Sequence, residues 1–330
     1  MMRVSTAGDR HVNHRFSIAI LGRFMTSIKT NSSAMTALRS LQTTNKMLEQ
    51  TQNRISTGYK VSTATDNAAY WSIATTMRSD NKALATVQDA LGLGSAKIDV
   101  TYTGINASID VIDEIKSKLV ASREPGIDRS KIQDEINQLQ QQLVAIADSA
   151  SFSGENWLSV DSGAATYVQT KSVVSSFTRS ATSVQVETID VDTATVELFD
   201  AADQSGILDS VFLTTGAGAF SVSVTTLDIT AIGADDQDID DMISNVDAKL
   251  AEMTTAASDI GAIQKRMSTQ MEFVASLIDS IDRGIGVLVD ADMSKESTRL
   301  QALQTQQQLG VQSLSIANSA SQNILALFRQ

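Results

Sequence analysis

The sequence predicts a mainly α-helical chain. Long antiparallel helices and a coiled coil formed by both termini carry a small β-rich inserted domain at the far tip. Three observations predict this. There is one proline, Pro125, in 330 residues, and proline is the main helix breaker. Apolar residues recur at alternating steps of three and four over long stretches at both ends, which is a heptad pattern. Between them, from about position 167 to 229, the texture switches to Val- and Thr-rich alternation, the pattern of strands.

In chain order, the first 24 residues carry four arginines against Asp9. Their apolar run, Phe16 to Leu21, is too short for a signal peptide. They are expected to be a disordered extension from an upstream in-frame start, with Met25 beginning the working protein. Ala34, Leu38, Leu41, Asn45, Leu48, Gln52 and Ile55 then form a first seam, weakened by its two amides. A polar break follows, NRISTGYKVSTATDNAAYWSIA, in which Ser56-Thr57-Gly58 ends one helix and Asp66 or a nearby hydroxyl caps the next. Helical spacing resumes at Ile73, Met77, Leu84, Val87, Leu91 and Ile98, and continues through Tyr102, Ile105, Ile109, Ile112, Lys116 and Leu119. Glu124-Pro125-Gly126 stops it. A shorter helix places Ile132, Ile136, Leu139, Leu143 and Ile146 on one face.

The stretches SVQVETIDVDTATVEL and FSVSVTTLDI read as strands. A long helix returns from Ile239 through Ile281. Its acidic lead-in, GADDQDIDD, suits a helix N-terminus, and the ligand spacing and glycine of a calcium loop are missing. The tail seam holds Leu300, Leu303, Gln307, Gly310, Leu314, Ala317, Ser321, Ile324 and Phe328.

Chemistry is bounded by what is absent. There is no cysteine, and the two histidines, His11 and His14, lie in the first segment. The body therefore has no Ser-His-Asp triad, no Cys-His pair and no ordinary zinc site. GIGVLVDAD from Gly284 lacks the third glycine of a dinucleotide loop, and no phosphate loop occurs. The net charge of -12, or -15 from Met25 on, argues against a nucleic-acid partner. No stretch approaches the length of a membrane span. No enzyme activity and no cofactor are expected. Trp71 and Trp157 read as packing residues, and the insertion's Ser and Thr hydroxyls are candidates for glycosylation.

The terminal seams are polar where a stable dimer would have Leu or Ile. Small residues such as Ala34, Gly310 and Ala317 permit close approach. Helices like these gain little alone, so the ends are expected to be disordered in the monomer and to order on assembly with copies of the same chain.

Particular residues then point to a family. TALRSLQTTNKMLEQTQNRISTG, TDNAAYWSIATTMRSD and LVDADMSKESTRLQALQTQQQLGVQSLSIANSASQNILALFR resemble bacterial flagellin. The resemblance runs from about Met25 to Leu158 and from about Asp235 to Gln330, and Tyr70-Trp71 is similar to the rhizobial branch of the α-proteobacteria. It implies an inner-core coiled coil from residues 25–64 and 287–330. It implies a helical tube wall from 65–160 and 235–286, and a variable, surface-exposed β domain from 161–234.

The implied function is a structural subunit that polymerises into the extracellular flagellar filament for swimming. The alternative within the same superfamily is the hook-filament junction protein. Implied partners are copies of the same chain, sister flagellins, the junction protein, the filament cap, the export apparatus and its chaperone. Export would be unfolded, through the flagellar type III channel. Leu38, Leu41, Leu48, Ile55, Leu300, Leu303, Leu314, Ile324 and Phe328 are the expected self-assembly seam. Ser56, Thr57, Gly58, Asp66 and Asn67 are the expected inter-shell connector. The segment matching the one plants sense has Thr65 for Lys, Asn67 for Asp and Tyr70-Trp71 for Gly-Leu. The vertebrate receptor's motif has Ile115 where it needs Arg. Weak recognition by innate immune receptors is expected on both counts.

Overall fold

In the computed structural model, residues 30–180, 183–231 and 234–327 are described, with backbone only at 321 and 323–327. The initial 24-residue extension and Phe328 lie outside these residues, and Ile324 outside the described side chains. Five helices dominate: α1 (Ser32–Thr57), α2 (Ala68–Ala121), α3 (Arg129–Ser149), α4 (Asp236–Val289) and α5 (Met293–Leu327). Eight strands lie between α3 and α4: β1 (Ser151–Phe152), β2 (Glu155–Asn156), β3 (Ser159–Val160), β4 (Thr170–Arg179), β5 (Val184–Asp192), β6 (Phe199–Asp200), β7 (Phe212–Leu213) and β8 (Ser221–Val222). The chain forms two compact units. Among the described residues, one holds 30–67 and 289–327; the other lies within Ala68–Leu288.

In the first unit α1 pairs with α5. Hydrogen bonds from Asn31 to Ala317, from Gln307 to Asn45 and from Arg54 to Glu296 show that the pair is antiparallel. Asn31 caps α1 by accepting from the Ala34 N–H at 2.9 Å. Gly58 ends it in the left-handed region, at φ 76°, with its N–H on the Arg54 carbonyl at 2.9 Å. Asp292 opens α5 by accepting from the N–H groups of Ser294 and Lys295.

The second unit is built on α2. From Leu84 onward its covered positions include a three-four series, Leu84, Val87, Leu91, Gly94, Ile98, Thr101, Ile105, Ser108, Ile112, Ile115 and Leu119, widened by Gly104 and Val111. The expected Tyr102, Ile109 and Lys116 yield to Thr101, Ser108 and Ile115, one residue earlier. Geometry overrides polarity here, because the helix turns these residues inward whatever their side chains. Thr101 satisfies its hydroxyl on the Lys97 carbonyl at 2.9 Å. Tyr102 and Ile109 pack at the edge of the core, and Lys116 pairs with Asp247. Near the start of α2, Ala74 is buried rather than Ile73.

The strands form four two-stranded pairs: β1-β2, β3-β6, β4-β5 and β7-β8. Of the stretches expected as strands, 184–192 is β5, but 220–229 contains only β8 followed by a 3-10 turn at Val224–Thr226. The reason is a competing partner. Gln140 donates to the carbonyls of Val224 and Leu227, while Gln133 donates to Leu227 and accepts from the Ile229 N–H. Side chains of α3 thus take the backbone groups that a neighbouring strand would need.

The insertion has no core of its own. Leu158, Ile189, Val191, Leu198, Val224 and Leu227 join the helical residues in one cluster. The β4–β5 hairpin lies along α2. Val173 sits against Gly94, Gln270 donates to the Ser175 carbonyl at 3.0 Å, and Arg179 pairs with Asp80 at 2.6 Å.

Candidate self-assembly surface

The covered residues of α1 are Ala34, Ala37, Leu41, Thr44, Leu48, Thr51, Arg54 and Ile55. They share Ala34, Leu41, Leu48 and Ile55 with the expected seam, but Ala37, Thr44 and Thr51 stand in for Leu38, Asn45 and Gln52. Spacing alone permits either set beside the shared residues. The smaller side chains allow a closer approach, so they face α5 and Leu38 is left outside, 44% exposed. On α5 the covered residues are Glu296, Leu300, Leu303, Gln307, Gly310, Leu314 and Ala317. Leu41 lies over Gly310, where a Cβ would stand 3.2 Å from its Cδ1. Leu41, Leu48, Ile55, Leu300, Leu303 and Leu314 are therefore engaged within the chain.

Polar links span the pair. Arg54 Nη1 meets Glu296 Oε1 at 3.1 Å, with the glutamate side chain 9% exposed. Gln307 Nε2 donates to Asn45 Oδ1 at 2.9 Å, and Asn31 Nδ2 to the Ala317 carbonyl at 2.8 Å. The outer faces keep Met35, Leu38 and Met47 exposed on α1, and Leu309, Val311 and Ile316 on α5. Sequence reasoning missed Leu309 and Ile316. Their signal was seven-residue spacing one place before the seam positions Gly310 and Ala317.

The connector is ordered by its own bonds. Ser56 and Thr57 are the last residues of α1. Tyr59 and Asp290 form a bridge. Lys60 N–H donates to the Val289 carbonyl at 2.7 Å, and Ala291 N–H to the Gly58 carbonyl at 2.8 Å. Asp66, expected to cap α2, turns back instead: its Oδ2 accepts from Ser62 N, Ser62 Oγ, Thr63 N and Thr63 Oγ1 at 3.0–3.1 Å. The Thr63 and Ser62 N–H groups hold its carboxyl below the usual carboxylate value of 3.8. Asn67 immediately precedes α2. A polar pocket of about 230 Å³ beside the connector is lined by Gln50, Asn53, Arg54, Lys60 and Asp66, among others.

Charge is divided unevenly. Residues 68–288 carry 32 acidic and 14 basic side chains, a net of -18, whereas residues 30–67 with 289–330 carry seven basic and five acidic. In the second unit Arg123 meets Asp236 and Asp240, and Arg129 meets Asp236. Arg129 and then Arg123 hold the Asp236 carboxyl below its ordinary value. In the insertion, burial pushes the Glu197 carboxyl up, while Tyr167 donates to it at 3.2 Å. Among the described residues no group of three His, Cys, Asp or Glu could hold a metal ion, and no helix is long and apolar enough to cross a membrane.

A terminal helix pair, a helical body and an inserted segment make an arrangement that known families can be matched against. The description "Bacterial flagellin N-terminal helical region" matches residues 28–162, and "Bacterial flagellin C-terminal helical region" matches residues 243–328. Flagellin C of Rhizobium meliloti (strain 1021) is 53% identical, covering 93% of this chain and all of its own length. This chain belongs to the bacterial flagellin family. Flagellin A of Rhizobium meliloti is 44% identical over 92% of the chain, and a flagellin of Brucella melitensis biotype 1 is 45% identical over 92%, each across its full length. The kinship to the rhizobial branch is thereby shown, and the two flagellin helical regions coincide with the long helices at either end of the fold.

Proposed function

We propose that this flagellin is a structural, non-catalytic subunit that polymerises into the extracellular flagellar filament. The observation that carries the reading is the terminal pair itself. α1 and α5 set small and polar residues among their leucines where they face each other, and keep Leu38, Leu309 and Ile316 facing outward. Outward apolar side chains on a narrow two-helix unit call for burial against further helices, and copies of the same chain supply them. In this reading residues 25–64 and 287–330 form the inner core, 65–160 and 235–286 the tube wall, and 161–234 the solvent face. Sister flagellins, the junction protein, the cap and the export apparatus with its chaperone are its partners, and the filament serves swimming.

Seeded polymerisation of the chain from Met25, followed by electron microscopy and circular dichroism, tests the proposal. The expected result is long filaments with a rise in helix content as the termini order. Soluble chains that never extend a seed, with helix already complete, would refute it and favour a junction protein.

A further inference from the structure

We infer that the polar connector of residues 58–67 is a rigid strut, clamped by Asp66 as a positioning residue, and that filament stiffness depends on that clamp; the filament part rests on the function proposed above. In sequence the stretch looks like a loose hinge, with Gly58, Ser62, Thr63 and Thr65 among its residues. The bonds describe something else. At one end the chain is tied to residues 289–291 by a bridge and flanking backbone hydrogen bonds, Lys60 to Val289 at 2.7 Å and Ala291 to Gly58 at 2.8 Å. At the other end a single carboxylate oxygen gathers two N–H and two O–H donors from Ser62 and Thr63. The Asp66 N–H then donates to the Thr63 carbonyl at 3.1 Å, closing the turn from the other side. Thr63 and Thr65 hydroxyls meet at 2.6 Å across the same turn.

A charged acceptor holds N–H and O–H donors more strongly than a neutral one. Five residues, 62–66, are thus fixed by one side chain, directly before α2 begins. The four donors to this carboxylate come from Ser62 and Thr63; Arg54 and Lys60 line one polar pocket together with Ser62, Thr63 and Asp66.

The clamp makes a separable prediction. Asp66→Asn keeps size and shape but loses the charge and replaces one acceptor oxygen by a donor. Ser62→Ala with Thr63→Ala removes the two hydroxyl donors and keeps the carboxylate. Both variants, in the full chain, are expected to extend seeds as the wild type does. Hydrogen exchange on the filaments is expected to quicken roughly tenfold at Ser62, Thr63 and Asp66 in Asp66→Asn, and less in the double variant. Persistence length measured from electron micrographs is expected to fall about twofold or more in Asp66→Asn. Unchanged exchange and unchanged stiffness in Asp66→Asn filaments would overturn the inference. A wild-type chain that never extends a seed would instead sink the filament reading, and the same exchange comparison on the soluble chain would then decide the clamp.

Discussion

Val173 occupies the place where a methyl group at position 94 would stand, its Cγ1 only 2.3 Å from that point, with Met267 Cε at 3.0 Å. Gly94 is therefore the notch that lets β4 lie on α2. Gly92, two residues away, has nothing within 4 Å. Gly94→Ala is expected to lower stability by about 1–3 kcal/mol through overpacking, whereas Gly92→Ala should raise it by about 0.5–1 kcal/mol through helix propensity alone. Chemical denaturation of the two variants checks the pair, and equal effects would contradict the notch. In the sequence Gly94 falls on the helical spacing between Leu91 and Ile98 but carries no side chain to mark it. What made it indispensable, a valine 79 residues further on, had no local signal. Asp66 teaches the same at the connector. Its type announced a turn, but whether it would bond forward to α2 or back to Ser62 depended on the path of the chain.

Helices α1 and α5 divide into an inner stripe that holds the pair and an outer stripe left open. Leu41→Ala acts on the inner one and should weaken the pair by about 1–2 kcal/mol, in proportion to its partial burial against Gly310. Leu38→Ser acts on the outer one and should leave the helix content of the finished filament unchanged while slowing seed elongation, which light scattering would follow. If Leu38→Ser elongated normally, the outer stripe would not be an assembly surface. The seam of α5 was legible because its leucines leave one apolar phase; that of α1 was only half legible, because Ala37 and Thr44 carry less weight in a pattern than the leucine and asparagine beside them. The insertion's last strand was illegible for a different reason: the glutamines that displaced it lie on α3.

Acidity acts on two elements with opposite sign. The folded Asp236 carboxyl titrates below its ordinary value, so its contribution to closing the α2–α3 turn onto α4 is present above about 3.8 and lost as pH falls through the folded value. The folded Glu197 carboxyl titrates above its ordinary value, so its contribution is present below that value and lost as pH rises through the folded one. Amide exchange across a pH series should loosen residues 122–129 at the acid end and residues 197–205 towards the alkaline end. Glu197→Gln should remove the second effect. Loosening of both segments at the same end would refute the assignment.

At the level of the molecule, the second unit carries a net charge of -18 while the terminal unit is near neutral. Copies brought together must overcome repulsion between their acidic units. The critical concentration for elongation should fall as sodium chloride rises from about 10 to about 150 mM, where the screening length contracts from about 30 to about 8 Å. Sedimentation of filaments from free chains measures it, and a critical concentration indifferent to salt would show that the acidic surfaces stay apart in the polymer.

The shared core of helices and insertion constrains anyone who would use this chain as a display scaffold. Excising residues 161–234 as a cassette would strip Ile189, Leu198 and Val224 from the helices they cover and expose an oily groove along α2 and α3. Foreign epitopes belong on outward side chains of β5, such as Val184, Val186 and Glu187, which are exposed, where a graft changes what the surface presents without withdrawing what the interior needs.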